Sequence, residues 1–333
     1  MSDAAKPTVS ILAAIAKAYQ DAFAADPKVI TLGEDLADPE GGGVVGITNG
    51  LSATYGDDRV RSTPISEQAI IGAAIGASLA GYKPVAEIML MNFTTVAMDM
   101  IVNHAAKLRF MSGGQTSVPI VIRTMTGLGI GNGGQHTDYL EAWFAHTAGI
   151  KVCAPSTPED AYGLLRSAID DPDPVMFIEN LPAYFPPMSA TMPDSSHRVP
   201  LGKAAVQREG SDVTLVSYSR MAIEARQAAA MAAAEGISVE VIDLRTIAPW
   251  DRETVLASAR KTGRVIIAHE AVKQHGVGAE IAAVISEELF GQLKKPVRRL
   301  GGNFSAVPYS RPLESAFAPD AGRILAAVKD LVS

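Results

Sequence analysis

The chain has 333 residues, of which 47% are hydrophobic and 20% charged; this is ample apolar material for the cores of about two domains and excludes a disordered or fibrous protein. Lys and Arg number 29 against 36 Asp and Glu, a net charge of −7, the wrong sign for a chain that neutralises nucleic-acid phosphates. The single cysteine, Cys153, closes no disulfide within the chain, residues 1–10 lack the pattern of a signal peptide, and the longest near-apolar stretch, residues 69–82, is short for a bilayer and broken by Gly72, Gly76 and Gly81, so a cytoplasmic location without membrane attachment is expected.

Short β-branched runs alternate with longer segments of helical period, the pattern of βα units on a largely parallel sheet. In the first half, strands are expected over residues 29–32, 85–90, 119–124, 150–153 and 175–179. Helices are expected over 10–25, 66–80, 94–111 and 157–170. The last opens with Thr157-Pro158-Glu159-Asp160, an N-cap followed by proline and acids in the first turn. Prolines 182, 186, 187, 193 and 200 then interrupt the pattern, as in an interdomain linker. Beyond them, strands are expected over 212–218, 238–243, 264–269 and 296–300, and helices over 221–235, 251–261 and 277–289. The fold class is therefore α/β, with two domains.

Gly129-Ile130-Gly131-Asn132-Gly133-Gly134 follows a strand and fits a dinucleotide fingerprint. The residues after it, from Gln135 to Tyr139, are polar where a cofactor helix would pack, and no acid closes the next strand. A loop whose backbone approaches a ligand or a neighbouring subunit is the better reading. The six histidines show no i, i+4 pairing, and neither G-x-S-x-G nor a complete Walker A motif occurs. His136 stands between that loop and a helix start, where an imidazole exchanges protons near neutral pH. Glu67 opens a helix; an acid there ordinarily complements the helix dipole, but its neighbours Ile65, Ala69 and Ile70 are apolar, and a buried carboxyl shares a proton with a ligand nitrogen. Phe93 lies just past a strand, where α/β proteins place ligand contacts. Gly72, Gly76 and Ala80 form a small-residue face suited to close helix packing or a subunit contact. Glu287, Glu288 and Glu314 could face a basic partner domain, solvated acids being the simpler reading.

Thr63-Pro64-Ile65-Ser66-Glu67, Met91-Asn92-Phe93, Met111-Ser112-Gly113-Gly114, Gln135-His136, Phe144-Ala145-His146-Thr147-Ala148-Gly149-Ile150-Lys151-Val152 and Val241-Ile242-Asp243-Leu244-Arg245-Thr246-Ile247-Ala248-Pro249-Trp250 occur in this order. With them the chain resembles the β subunit of the thiamine-diphosphate-dependent decarboxylase component of 2-oxo acid dehydrogenase complexes, over about residues 9–331. The resemblance implies a transketolase-like pyrimidine-binding domain over residues 1–185, a linker over 186–200, and a transketolase C-terminal-like α/β domain over 201–333. It also implies thiamine diphosphate shared with an α subunit that holds its Mg2+, an α2β2 heterotetramer, and a lipoyl-bearing acyltransferase core as the next partner. This chain lacks the Gly-Asp-Gly motif that such an α subunit carries; Gly56-Asp57-Asp58 is the nearest approach.

By the same resemblance, Glu67 would bond N1′ of the aminopyrimidine and favour the tautomer that deprotonates the thiazolium C2. Phe93 would stack on that ring, and His136 would move protons on the substrate or assist acyl transfer to lipoamide. A monovalent cation, often K+, would rest at Ile120, Ala168, Ile169, Asp171 and Asp173. One departure is Asp138, where the family commonly has glutamine two residues after the histidine; close to His136, its carboxylate would favour the imidazolium. Residues 42–51 and Ile122-Arg123-Thr124-Met125 look more like pyruvate and acetoin dehydrogenase β subunits than branched-chain ones. The rival expectations are a split transketolase moving a two-carbon ketol unit, and a non-catalytic interaction subunit of the same fold.

Overall fold

The strand-forming runs rich in Val, Ile and Thr pair in parallel and are buried on both faces, as the strands of a helix-covered sheet must be. A computed structural model of the protein describes residues 7–333. The start of the stretch read for a leader, which is also the start of the first expected domain, lies outside the described residues. Two units form. One holds the chain up to Thr126 and Phe144–Leu201; the other holds Gly127–Trp143 and Gly202–Ser333. The segment 127–143 thus clusters with residues of the second half, and 186–200 with those of the first. Among the described residues, no helix is long and apolar enough to cross a membrane.

The parallel sheet of the first unit runs, side by side, Lys151–Cys153, Val175–Asn180, Val121–Thr126, Lys83–Leu90, Val29–Gly33 and Val60–Ser62. Every residue of Val121–Thr126 and of Val175–Asn180 is buried. Two helices of this unit start where a side chain satisfies a free amide: Ser10 accepts from Ala13 N at 3.1 Å to open Ile11–Ala25, and Thr157 accepts from Asp160 N at 3.1 Å to open Pro158–Asp170. Each such cap contributes about 1 kcal/mol. The single helix expected over 94–111 is broken into a 3₁₀ segment Met91–Ala97, a π segment Met100–Ala105 and an α-helical turn Leu108–Met111. Thr94 and Thr95 donate their hydroxyls to the carbonyls of Met91 and Asn92 at 2.6 and 2.8 Å, competing with regular α-helical bonding at its start.

At the centre of this unit lies a buried charge cluster. Arg123 binds Glu179 through Nε and Nη2 at 2.5 and 2.6 Å, and Glu87 through Nη1 at 2.5 Å. Tyr184 donates to the same Glu179, and Tyr19 lies within 3.3 Å of Arg123 Nη1. Burial disfavours the guanidinium charge, yet Glu179, Tyr19 and Glu87 together hold its pKa well above the ordinary value. The bidentate contact with Glu179 and the single contact with Glu87 together fix three neighbouring strands to one another through side chains as well as through their ladders.

In the second unit the sheet order is Arg298–Gly302, Val265–Val272, Val213–Ser217, Val239–Asp243 and Ala205–Arg208, the last pairing antiparallel. Helix Ser219–Ala234 buries Ala225, Ala228, Ala229 and Ala232 against this sheet and against the carboxyl-terminal helix Ala321–Val332. That last helix, capped by Asp320 accepting from Arg323 N at 2.8 Å, and the preceding helix Arg311–Phe317 have no counterpart among the expected elements.

Candidate active site

Three connections of the first unit leave the same edge of the parallel sheet. Glu34 follows strand Val29–Gly33, the run Thr63–Glu67 follows Val60–Ser62, and Met91–Phe93 follows Lys83–Leu90. Thr63 N donates to Gly33 O at 2.8 Å, which ties the first two of these connections together. Carboxyl edges of parallel sheets are where α/β proteins assemble ligand sites.

Glu67 is the first residue of helix Glu67–Leu79 and is only 8% exposed. Ile70 beside it is buried, whereas Ile65 is 82% exposed and Ala69 is exposed; the apolar flanks expected to cover the carboxyl do so only in part. Among the described residues no hydrogen bond or ion pair ties the Glu67 carboxylate down, and the Thr63 hydroxyl is buried without a partner. Buried polar groups in that state are suited to a ligand's donor or acceptor. Glu34, which the sequence reading passed over, sits half-buried nearby; burial and the charges of Glu67, Asp35 and Glu87 raise its pKa. An acid directly after a strand was the available signal. The segment carrying Phe93, which is half-buried, packs against the Glu67 helix.

The phrases 42–45 and 123–125, for which sequence offered no contact argument, line one cavity of about 10 Å3 with Glu87 and Met89. It has room for one water, and the Thr124 hydroxyl is buried without a hydrogen-bond partner among the described residues.

His136 belongs to the second unit. The glycine-rich run ends in a four-residue helix, Gly134–Thr137, with Thr137 buried and donating its hydroxyl to Gly133 O. No cofactor-type helix follows. Glu314 accepts from Gly129 N at 2.8 Å and from Gly131 N at 3.1 Å, so a carboxylate occupies the amides that a pyrophosphate would need. Glu314 is 2% exposed and is not an acid facing a partner in solvent; Glu287 and Glu288 are exposed, with Glu288 paired to Arg252. Following His136, Glu141 is buried and accepts from Tyr218 Oη at 2.6 Å. Burial, opposed by that bond, pushes its carboxyl up to about 7.

At the expected cation site, Asp171 accepts from Lys151 Nζ at 2.6 Å and Asp173 from Arg109 Nη1 at 2.6 Å, so both carboxylates are already paired. The carbonyls of Ile120 and Ala168 each accept one amide, from Val175 at 3.0 Å and Asp171 at 3.3 Å. A cation there would rest on second lone pairs of main-chain oxygens. Among the described residues, no group of three His, Cys, Asp or Glu side chains is placed to hold a metal.

Residues 8–186 match the transketolase pyrimidine-binding domain and residues 202–324 the transketolase C-terminal domain. A rice (Oryza sativa subsp. japonica) mitochondrial pyruvate dehydrogenase E1 component subunit beta-2 is 45% identical over 328 residues, covering 98% of this chain and 87% of the relative. The acetoin:2,6-dichlorophenolindophenol oxidoreductase subunit beta of Cupriavidus necator is 41% identical, with 96% of each chain covered. The 3-methyl-2-oxobutanoate dehydrogenase subunit beta of Mycobacterium tuberculosis is 43% identical over 97% of this chain and 91% of its own length. A split-gene transketolase, solved as an inactive β4 tetramer, superposes with a TM-score of 0.79 over 98% of this chain and 99% of its own, at 24% identity; at that identity the likeness is one of fold.

Proposed function

The chain belongs to the family of β subunits of thiamine-dependent 2-oxo acid and acetoin dehydrogenases, and from that premise we propose that it forms half of an active site completed by an α subunit. The observation that carries this reading is Glu67, a buried carboxylate that has no hydrogen-bond or ion-pair partner among the described residues and lies at the carboxyl edge of the pyrimidine-binding sheet. Glu67 and Phe93 fit the aminopyrimidine of thiamine diphosphate. When bound, that group supplies the carbon nucleophile and electron sink for cleavage next to a carbonyl.

The residues of this chain then divide the remaining work. Glu67 holds a proton at the pyrimidine ring nitrogen, where low exposure strengthens the bond. Phe93 covers the ring and excludes water from that face. His136 would give or take protons at the substrate, and the disulfide of lipoamide on an acyltransferase core would accept the acyl group together with two electrons, one sulfur becoming the thioester and the other a thiol. Mg2+ and the diphosphate belong to the α subunit, since no Gly-Asp-Gly motif occurs here. An α2β2 assembly, a K+ ion on the carbonyls near Ile120, Ala168, Ile169, Asp171 and Asp173, and a cytoplasmic location complete the reading, with domains at 1–185 and 201–333. The C. necator relative supports an acetoin-type reaction and the rice relative a pyruvate-type one.

The test is to recover the tagged chain with its α partner, weigh the complex, measure bound thiamine diphosphate, and assay pyruvate, acetoin and 3-methyl-2-oxobutanoate. Glu67→Gln should keep the assembly and lose turnover by about a hundredfold or more. Undiminished turnover in that variant rules out the proton role, and a self-associated chain without cofactor, where the partner is expressed, favours the non-catalytic subunit.

A further inference from the structure

The glycine-rich run that carries His136 is held by acids of the second unit rather than by its own helix. Glu314 accepts from the amides of Gly129 at 2.8 Å and Gly131 at 3.1 Å; Glu270 accepts from Leu128 N at 2.5 Å; and Arg220 Nη1 donates to Leu128 O at 2.7 Å. Both acids are buried, Glu314 at 2% and Glu270 at 4% exposure. Leu128 is buried in a small apolar cluster with Val307, Phe317 and Ala318, the last two at and just beyond the end of the helix that carries Glu314. Gly131 and Gly133 have φ of +75° and +69°, and a Cβ on Gly133 would strike the Tyr309 ring. Glycine gives such a backbone the widest range of alternatives. Buried carboxylates accepting several amides restrict that range strongly, because each bond is charge-assisted and withdrawn from water.

We propose that Glu314, seconded by Glu270, is a positioning residue for His136, holding the loop in the one conformation that presents the imidazole for proton transfer. This rests on the catalytic reading of His136. Glu314 touches neither substrate nor cofactor in this role. Its effect falls on the rate of the positioned step, since small displacements of a reacting group cost large factors in rate.

The experiment uses the complex with its α partner, wild type and with Glu314→Ala, Glu314→Gln and His136→Ala in the β chain. Turnover is followed with whichever of pyruvate, acetoin or 3-methyl-2-oxobutanoate the wild type uses, and amide hydrogen exchange is followed by mass spectrometry. Glu314→Ala should lower kcat about tenfold or more with KM within about twofold, and should speed exchange across 127–137 while leaving strand Val213–Ser217 protected. Glu314→Gln, which keeps one acceptor oxygen for Gly129, should recover much of both losses. Unchanged exchange across 127–137 overturns the proposal. So does faster exchange with unchanged kcat, or a loss of protection that extends to Val213–Ser217 in both variants, which marks a purely structural acid. If Glu314→Ala fails to assemble, Glu314→Gln is judged by the same two readouts. Wild-type turnover in His136→Ala would remove the catalytic reading of His136, whereas the loop exchange would still decide whether Glu314 holds the segment.

Discussion

Tyr218 donates its phenolic proton to Glu141 at 2.6 Å, and neither side chain has meaningful access to water. Glu141 Oε2 is buried without a hydrogen-bond partner among the described residues, and Glu270 adds a like charge nearby. Burial foremost, and Glu270 in addition, move the carboxyl from its ordinary 4.5 up to about 7, against the Tyr218 bond. The folded state therefore holds a proton that the unfolded chain releases above about pH 4.5. Stability from this group is fully present below pH 4.5 and is lost as pH rises through 7, in total about 3 kcal/mol. Glu141→Gln should match wild type near pH 4.5 and exceed it increasingly up to pH 7, with a constant gain beyond. Urea midpoints at pH 4.5, 6 and 8 measure this, and a gain independent of pH would contradict it.

His269 stacks on the same Tyr218, ring centroids 6.3 Å apart, and donates from Nδ1 to Ala271 O at 3.0 Å. Burial lowers its pKa to about 4, so its stability contribution is present above pH 6.5 and is lost as pH falls toward 4. Three glycines make room for the ring: a Cβ on Gly276, Gly278 or Gly301 would lie 2.8 to 2.9 Å from its atoms. Gly278→Ala should cost about 1–3 kcal/mol through overpacking, read as a lower thermal midpoint at pH 8. A midpoint equal to wild type would show that the ring yields freely.

Arg123 stands between two buried carboxylates. Arg123→Met removes the cation that pairs with Glu87 and Glu179 and leaves both carboxylates in the core, at a cost of about 3–5 kcal/mol. Chemical denaturation of the assembled complex should show it. Arg123→Lys should recover less than half of the loss, because an ammonium does not reproduce the two-pronged contact with Glu179. Full recovery by lysine would show that charge alone matters.

The cation on the Ile120 and Ala168 carbonyls is tested by exchange of salts. At constant ionic strength, replacing K+ with tetramethylammonium should lower the thermal midpoint of the complex, and titrating K+ back should restore it with a saturating curve, about 2.7 kcal/mol at a hundredfold excess over the dissociation constant. A midpoint indifferent to the cation would leave Lys151 and Arg109 as the complete partners of Asp171 and Asp173.

Periodicity made most elements legible, and a capping residue marked one helix start, Thr157, as the structure has it; Ser10, expected as the first residue of its helix, is instead that helix's cap. Glu67, Phe93 and His136 stood out through position relative to strands and through resemblance. The broken helix at 91–111 was missed because apolar spacing does not register hydroxyls that capture carbonyls three residues back. The anchoring of 127–143 was invisible for a different reason. Its partners Glu270 and Glu314 lie 142 and 183 residues along the chain, and no local pattern encodes so distant a pair. Glu314 looked like a surface acid because its helix, Arg311–Phe317, is short and opens with arginine and proline.

Because residues 127–143 belong with residues beyond 202, neither unit is a continuous stretch of chain. During synthesis the strand Val121–Thr126 emerges and can pair, while the amides of Gly129 and Gly131 wait for an acid made 185 and 183 residues later. At ordinary elongation rates that is a delay of roughly ten to forty seconds. Over that interval Leu128 and Tyr139 have no finished surface to bury against. Severing the polypeptide between its two halves would make the delay permanent, so fragments split near residue 200 should assemble only when both are present together.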